Sequence, residues 1–139
     1  MKVHHEELFI DTKGENDIVD ITNHVQVSVS HSGIQNGVVC IFVPGSTGAL
    51  TTMEYEPGLK KDIPKALERL APKNIKYDHH ETWNDDNGRS HVRASIIGPS
   101  LTIPVHNGTI IHGTWQQLVF LELDTQPRTR TLIVQILGE

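Results

Sequence analysis

Residues 38–43 read VVCIFV, six apolar side chains in succession. A strand with one face in water alternates polar and apolar residues. An unbroken run rich in Val and Ile describes a strand covered on both faces, and six residues are too few for a buried helix. The chain must therefore place material on each side of a sheet. Further segments supply that sheet. Val3 to Thr12 reads as a strand ending in a turn at Lys13-Gly14, and Leu101 to Val105 runs into Asn107-Gly108, a strong hairpin signal. His91 to Ile97, Val119 to Leu123 and Thr131 to Leu137 read as strands as well.

One helix is clear. Leu59, Ile63, Ala66, Leu67 and Leu70 are spaced 4, 3, 1 and 3 apart, an amphipathic stripe opened by Pro57-Gly58 and closed by Pro72. Pro64 predicts either a kink or a regular part that begins at Asp62 as cap. Residues 17–32 support two readings. Val25, Val27 and Val29 alternate as in a strand, whereas Asp20 or Thr22 could cap a helix running to Gly33 with Ile21, Val25 and Val29 along one side. The architecture is mostly antiparallel β with one or two helices, in a single domain spanning 1–139.

Composition excludes several function classes. At 37% apolar and 21% charged residues the 139-residue chain is neither disordered nor membrane-like, and no run is long enough to cross a bilayer. The start, MKVHHEELFI, lacks the apolar core and cleavage site of a signal peptide, so the expected compartment is the cytoplasm. A net charge of −5 is unsuited to neutralising phosphates along a nucleic acid. The one cysteine, Cys40, rules out an internal disulfide and Cys-based zinc motifs, and its apolar run makes it a buried, inert thiol. Histidine is the unusual entry in the composition, at nine residues.

Three of those histidines fall in Tyr77 to His91, YDHHETWNDDNGRSH, together with three aspartates and a glutamate. Neutral imidazole is a common ligand for zinc and similar metals. Neighbouring side chains on a strand point apart, so His79 and His80 would not share one site there. His79 and His91, at the two ends of a doubled-back loop, could converge with Asp85 or Asp86 as a three-donor set that leaves a position for water. A plain solvated loop accounts for the same composition. His4, His5, His24, His31, His106 and His112 are scattered and read as satisfied polar side chains. The loop PGSTGAL, Pro44 to Leu50, offers backbone amides and the hydroxyls of Ser46 and Thr47 to an anion such as phosphate, or is simply a tight turn. In GTWQQ, Trp115 reads as a core aromatic and Gln116 as its buried hydrogen-bonding neighbour.

The stretch SLTIPVHNGTIIHGTWQQL, Ser100 to Leu118, resembles the signature of the YjbQ-like family, also called the secondary thiamine-phosphate synthase family. YDHHETWNDDNGRSHVRASIIGPS and IFVPGSTGALTTMEYEPG extend the resemblance over nearly the whole chain. It implies an α+β fold, a compact antiparallel β-sandwich with two or so helices, assembled as a homotrimer with its site near the subunit interface. The apolar strands VVCIFV and LIVQIL agree with such an assembly. The resemblance also implies a helix at 22–32, His79 and His91 as site histidines, and Thr47, Glu54, Asp86 and Gln116 near them, with Asp86, Glu54 and Gln116 as the expected catalytic residues. The associated reaction joins a pyrimidine diphosphate to a thiazole phosphate with loss of pyrophosphate. The ligand is then a small phosphorylated molecule, with Ser46, Thr47 and Trp115 binding it, and the cofactor a divalent metal, zinc or magnesium. Where many members carry a histidine after the proline of the strand end, this chain has Gly45, and His80 stands where an acidic residue is commoner. A metal set here would be rebuilt with His80 or an aspartate. Alternatives are a metal-dependent hydrolase or lyase using His79 and His91, and a non-catalytic trimer holding a small anion.

Overall fold

The computed structural model describes all residues 1–139. Its elements are β1 (Lys2–Asp11), β2 (Ile18–Asp20), α1 (Thr22–Ser32), β3 (Gly37–Phe42), β4 (Gly48–Met53), α2 (Pro57–Leu70), α3 (Asp78–Trp83), α4 (Gly88–Ile97), β5 (Ser100–His106), β6 (Thr109–Ile110), β7 (Gln117–Glu122) and β8 (Thr129–Gly138). Five strands form one sheet in the order β1-β8-β3-β5-β6, and three form another in the order β2-β7-β4. Every pairing is antiparallel. The fold is thus α+β, with curled antiparallel sheets.

The sheets enclose one core. The larger contributes Ile10, Val39, Ile41, Val105, Leu132, Val134 and Ile136, the smaller Leu50, Leu118 and Phe120, and α1 adds Val25 and Val29. On its other face the smaller sheet packs Ala49, Val119 and Leu121 against Leu67 of α2 and Ala94 of α4. The outer face of the larger sheet carries no helix. There Val38 and Phe42 remain 38% and 42% exposed, while Val39 and Ile41 on the inner face are fully buried. Covering on both faces, expected from VVCIFV, is therefore not complete within one chain. Cys40 shares the outer face and is only half-buried.

Two local expectations resolve by spacing. Residues 22–32 are helical because Ile21, Val25 and Val29, four apart, all reach the core, while Val27 faces solvent. Asp20 Oδ1 accepts from Thr22 N–H at 3.0 Å and ties down the start. α2 begins at Pro57, not Asp62, with the Glu56 carboxylate accepting from the N–H groups of Gly58 and Leu59. Pro64 sits inside the helix without ending it.

One expected strand is a helix. His91 to Ile97 is not a strand but the body of α4, whose buried Arg89, Ser90, Arg93 and Ala94 recur at 1, 3 and 1. β4 was not foreseen, because Gly48 and Ala49 carry little strand propensity. Its register explains the glycine: a Cβ at Gly48 would stand 2.7 Å from Cζ of Phe120. No helix is long and apolar enough to cross a membrane.

Candidate functional site

The polar segment 77–91 is two short helices, α3 and α4, joined by a turn that Asn84 enters with φ of 54°. Asparagine tolerates that left-handed conformation better than most residues. Close approach of the helices is allowed at Gly88, where a Cβ would stand 2.6 Å from that of Tyr77. Helical geometry then separates the adjacent histidines. His79 turns toward α4, and its ring meets that of His91 with centroids 4.4 Å apart and planes inclined by 47°. His80 turns instead toward Tyr77, at 5.7 Å between rings, and accepts from Gly88 N–H at 3.4 Å.

Nε2 of His79 stands 3.0 Å from Asp85 Oδ1. The Asn87 amide stands 3.0 Å from the same Nε2. Asp85 is thus the carboxylate of the pair. Asp86 lies on the other side, 3.8 Å from His80 and 4.0 Å from Arg89. Burial lowers the pKa of His91, and the nearby His79 lowers it further; Asp124 and Asp85 oppose this less strongly. Both lowering influences favour the neutral imidazole, the form able to accept a proton.

The position of α4 is fixed by two buried arginines. Arg89 donates through Nε and Nη2 to the Glu15 carboxylate at 2.7 and 2.8 Å. Arg93 reaches Glu15 at 3.3 Å, Glu68 at 2.8 Å and the carbonyl of Ala71 at 3.1 Å. Both are almost fully buried. They serve the packing of α4 and are not free for a phosphate.

A second polar cluster lies under the loop after β3. Thr47 Oγ1 donates to Asp124 Oδ2 at 3.0 Å and accepts from Arg130 Nη2 at 2.9 Å. Arg128 also holds Asp124, at 2.8 Å from Nε, and Glu122 accepts from Arg130 Nε at 2.9 Å and from Thr12 Oγ1 at 2.9 Å. Burial works to raise the Asp124 carboxyl, but donors from Thr125, Thr47 and Arg128 together outweigh it and hold the pKa below the usual aspartate value. The charge of Asp124 is felt at His91, which links the two clusters. The sequence reading missed Glu122 and Asp124. Their signal was two carboxylates alternating with Leu121 and Leu123 in an apolar strand.

The other expected residues stand apart. Gln116 Nε2 donates to Thr52 Oγ1 at 3.1 Å, and its Oε1 accepts from Gly113 N–H at 3.0 Å. Thr52 lies in β4, five residues beyond Thr47, which immediately precedes the strand, and so about 17 Å away at the usual strand rise. Trp115 is 74% exposed and is not a core aromatic, and Gln116 is exposed rather than buried beside it. Glu54 is exposed just past the end of β4, and Ser46 is exposed beside Thr47. His79, His80 and His91 do not converge, and no three His, Cys, Asp or Glu side chains of the chain are arranged to hold a metal ion. The donors of one chain therefore do not fit a closed metal site.

Comparison with known proteins agrees with the fold. A family model described as "UPF0047 protein YjbQ-like" matches residues 6–139. A UPF0047 protein of Methanothermobacter thermautotrophicus is 39% identical over 139 residues, covering 100% of this chain and 95% of its own. Bacillus subtilis YugU, also a UPF0047 protein, is 33% identical over 132 residues, covering 94% and 97%. A YbjQ-like protein of unknown function from Sulfolobus solfataricus superposes with a TM-score of 0.92 at 35% identity, covering 99% of each chain. An uncharacterised yjbq/upf0047 family protein of Clostridium acetobutylicum gives 0.86 at 34% identity, covering 95% and 99%. With matches of this length in both sequence and structure, the chain belongs to the YjbQ-like, UPF0047 family.

Proposed function

We propose that the chain is an enzyme acting on a small phosphorylated molecule, with the His79–His91 pair as its proton-transfer centre. The observation that carries this reading is the contact of two imidazoles, one kept neutral by burial and the other held by a carboxylate. Such a pair divides the work: His91 accepts a proton, and His79, steadied by Asp85, delivers one. Correctly placed acid–base groups contribute roughly 10²–10⁴-fold to a rate.

The family resemblance puts thiamine-phosphate synthase-type transfer first among reactions. There the bond from the pyrimidine methylene carbon to the pyrophosphate oxygen breaks, and a bond from the thiazole nitrogen to that carbon forms. His79 is suited to protonate the departing pyrophosphate, and the neutral His91 beside it to take up a proton from solvent that restores it, since the attacking thiazole nitrogen has no proton to lose. A metal-dependent hydrolase or lyase needs three convergent donors, and one chain brings only His79, His91 and Asp85 near one another without closing them on a point.

A homotrimer belongs to the same reading. Val3, Phe9, Val38 and Phe42 lie exposed on the open face of the larger sheet, and a second copy is the occupant such a face suits. The test of the reading is product formation from the pyrimidine diphosphate and thiazole phosphate, followed by chromatography. His91→Ala and His79→Ala should each lower the rate by about 10²-fold or more, while His5→Ala leaves it unchanged. Equal rates in all three would refute the assignment.

A further inference from the structure

The geometry points to an oxyanion site between Arg130 and the Gly45–Thr47 loop, taking the phosphate of a small molecule. It rests on the proposed function only for the larger molecule to which that phosphate belongs. Its own ground is an incompletely used arginine. Arg130 is 7% exposed, and a buried guanidinium has five N–H donors to satisfy. Nε donates to Glu122, and Nη2 donates to Thr47 and to Glu122. Nη1 donates to no acceptor of the protein.

That nitrogen faces the position where Gly45 lacks a side chain. A Cβ built there would stand 3.4 Å from Nη1, and beyond the chain neighbours no other heavy atom lies within 4 Å. Gly45 has φ of 123°, a conformation that other residues rarely adopt, so the opening is built into the backbone. A cleft of about 370 Å³ runs along the same loop, with Gly45, Ser46 and Gly48 on one side and Ala94, Ser95 and Pro99 on the other. The two nearby carboxylates do not bar an anion, because Glu122 is covered by Arg130 and Thr12, and Asp124 by Arg128 and Thr47. Arg130 and Glu122, with Arg128 and Asp124, sum to no net charge. Attraction therefore comes from directed donors, namely Nη1 and the exposed Ser46 hydroxyl. A charge-assisted N–H donor of this kind suits a phosphate oxygen.

Titration calorimetry with inorganic phosphate on the full chain tests the site. One phosphate should bind per chain, and acetate should bind far more weakly. Arg130→Gln should abolish binding. Because that change strands Glu122 and can prevent folding, Ser46→Asp provides an independent arm: Ser46 is exposed, and a carboxylate there should weaken phosphate by at least about tenfold through like-charge repulsion. Ser46→Asp binding phosphate as tightly as the wild type, acetate binding as well as phosphate, or no phosphate binding at all would each overturn the site. His91→Ala should keep phosphate binding. Loss in that variant would move the anion to the histidine pair, which contradicts the Arg130 site and leaves the proposed function standing. Inactivity of the wild-type enzyme alongside intact phosphate binding would do the reverse.

Discussion

Removing the Glu15 carboxylate should be among the costliest single changes in the molecule. Glu15 receives two hydrogen bonds from Arg89, at 2.7 and 2.8 Å, and one from Arg93 at 3.3 Å. Arg89 is 3% exposed, and its remaining contacts are the carbonyl of Asp86 at 3.0 Å and the well-exposed Asp86 carboxylate at 4.0 Å. In Glu15→Ala a buried guanidinium loses its counter-charge, a change that typically costs 3–5 kcal/mol. Glu15 itself is 24% exposed, so water can partly replace it, and about 2–4 kcal/mol is expected. Glu68→Ala makes the comparison. Glu68 is 51% exposed and Arg93 keeps Glu15 and Ala71, so the loss should be under about 1 kcal/mol. Urea unfolding measures both, and at a slope of about 1–3 kcal/mol/M the Glu15→Ala midpoint should fall by roughly 1 M or more. The pKa of Glu15 is lowered, first by its bond from Arg89. The unfolded chain therefore binds more protons than the folded one as pH drops below about 4.5, and the stabilisation, full above that value, is lost as pH falls through the folded pKa. A Glu15→Ala variant within about 0.5 kcal/mol of the wild type at neutral pH would refute the claim that this carboxylate anchors α4.

Three further outcomes follow from named contacts. Gly48→Ala should cost about 1–3 kcal/mol by urea unfolding, since its new methyl meets the Phe120 ring at 2.7 Å. Trp115→Ala should change stability by no more than about 0.5 kcal/mol in the same assay, because the ring is 74% exposed. Glu6 accepts from His4 at 2.9 Å and His31 at 2.8 Å, and chiefly the His4 bond lowers its pKa to about 2. Wild type should therefore exceed Glu6→Gln in stability above about pH 4.5, and thermal melts should show the difference vanish toward pH 2.

Fold class was legible in the sequence because strand signals are local. Asn107-Gly108 announces β5 and β6, and Thr131 to Leu137 alternates through β8. α4 was not, since His91 to Ile97 carries β-branched residues, and the burial of Arg89 and Arg93 depends on Glu15, some seventy-four residues away in the case of Arg89. Nothing local announces that partner. At the site, His79 and His91 could be paired from their spacing within one polar segment. Asp85 could not be preferred to Asp86 until the turn at Asn84 fixed which carboxylate faces His79. Asp124 joins the second cluster through Thr47, a contact 77 residues apart. Trp115 followed the default for tryptophan, which a turn at the chain surface overrides.

The central claim is that His91 is held neutral beside His79, and an NMR titration of the His91 imidazole tests it most directly. The ring should titrate below the ordinary 6.5, and His79→Gln should move it upward by removing one of the two lowering influences, leaving burial. A His91 ring that titrates at or above 6.5 and ignores the substitution at His79 would contradict the account.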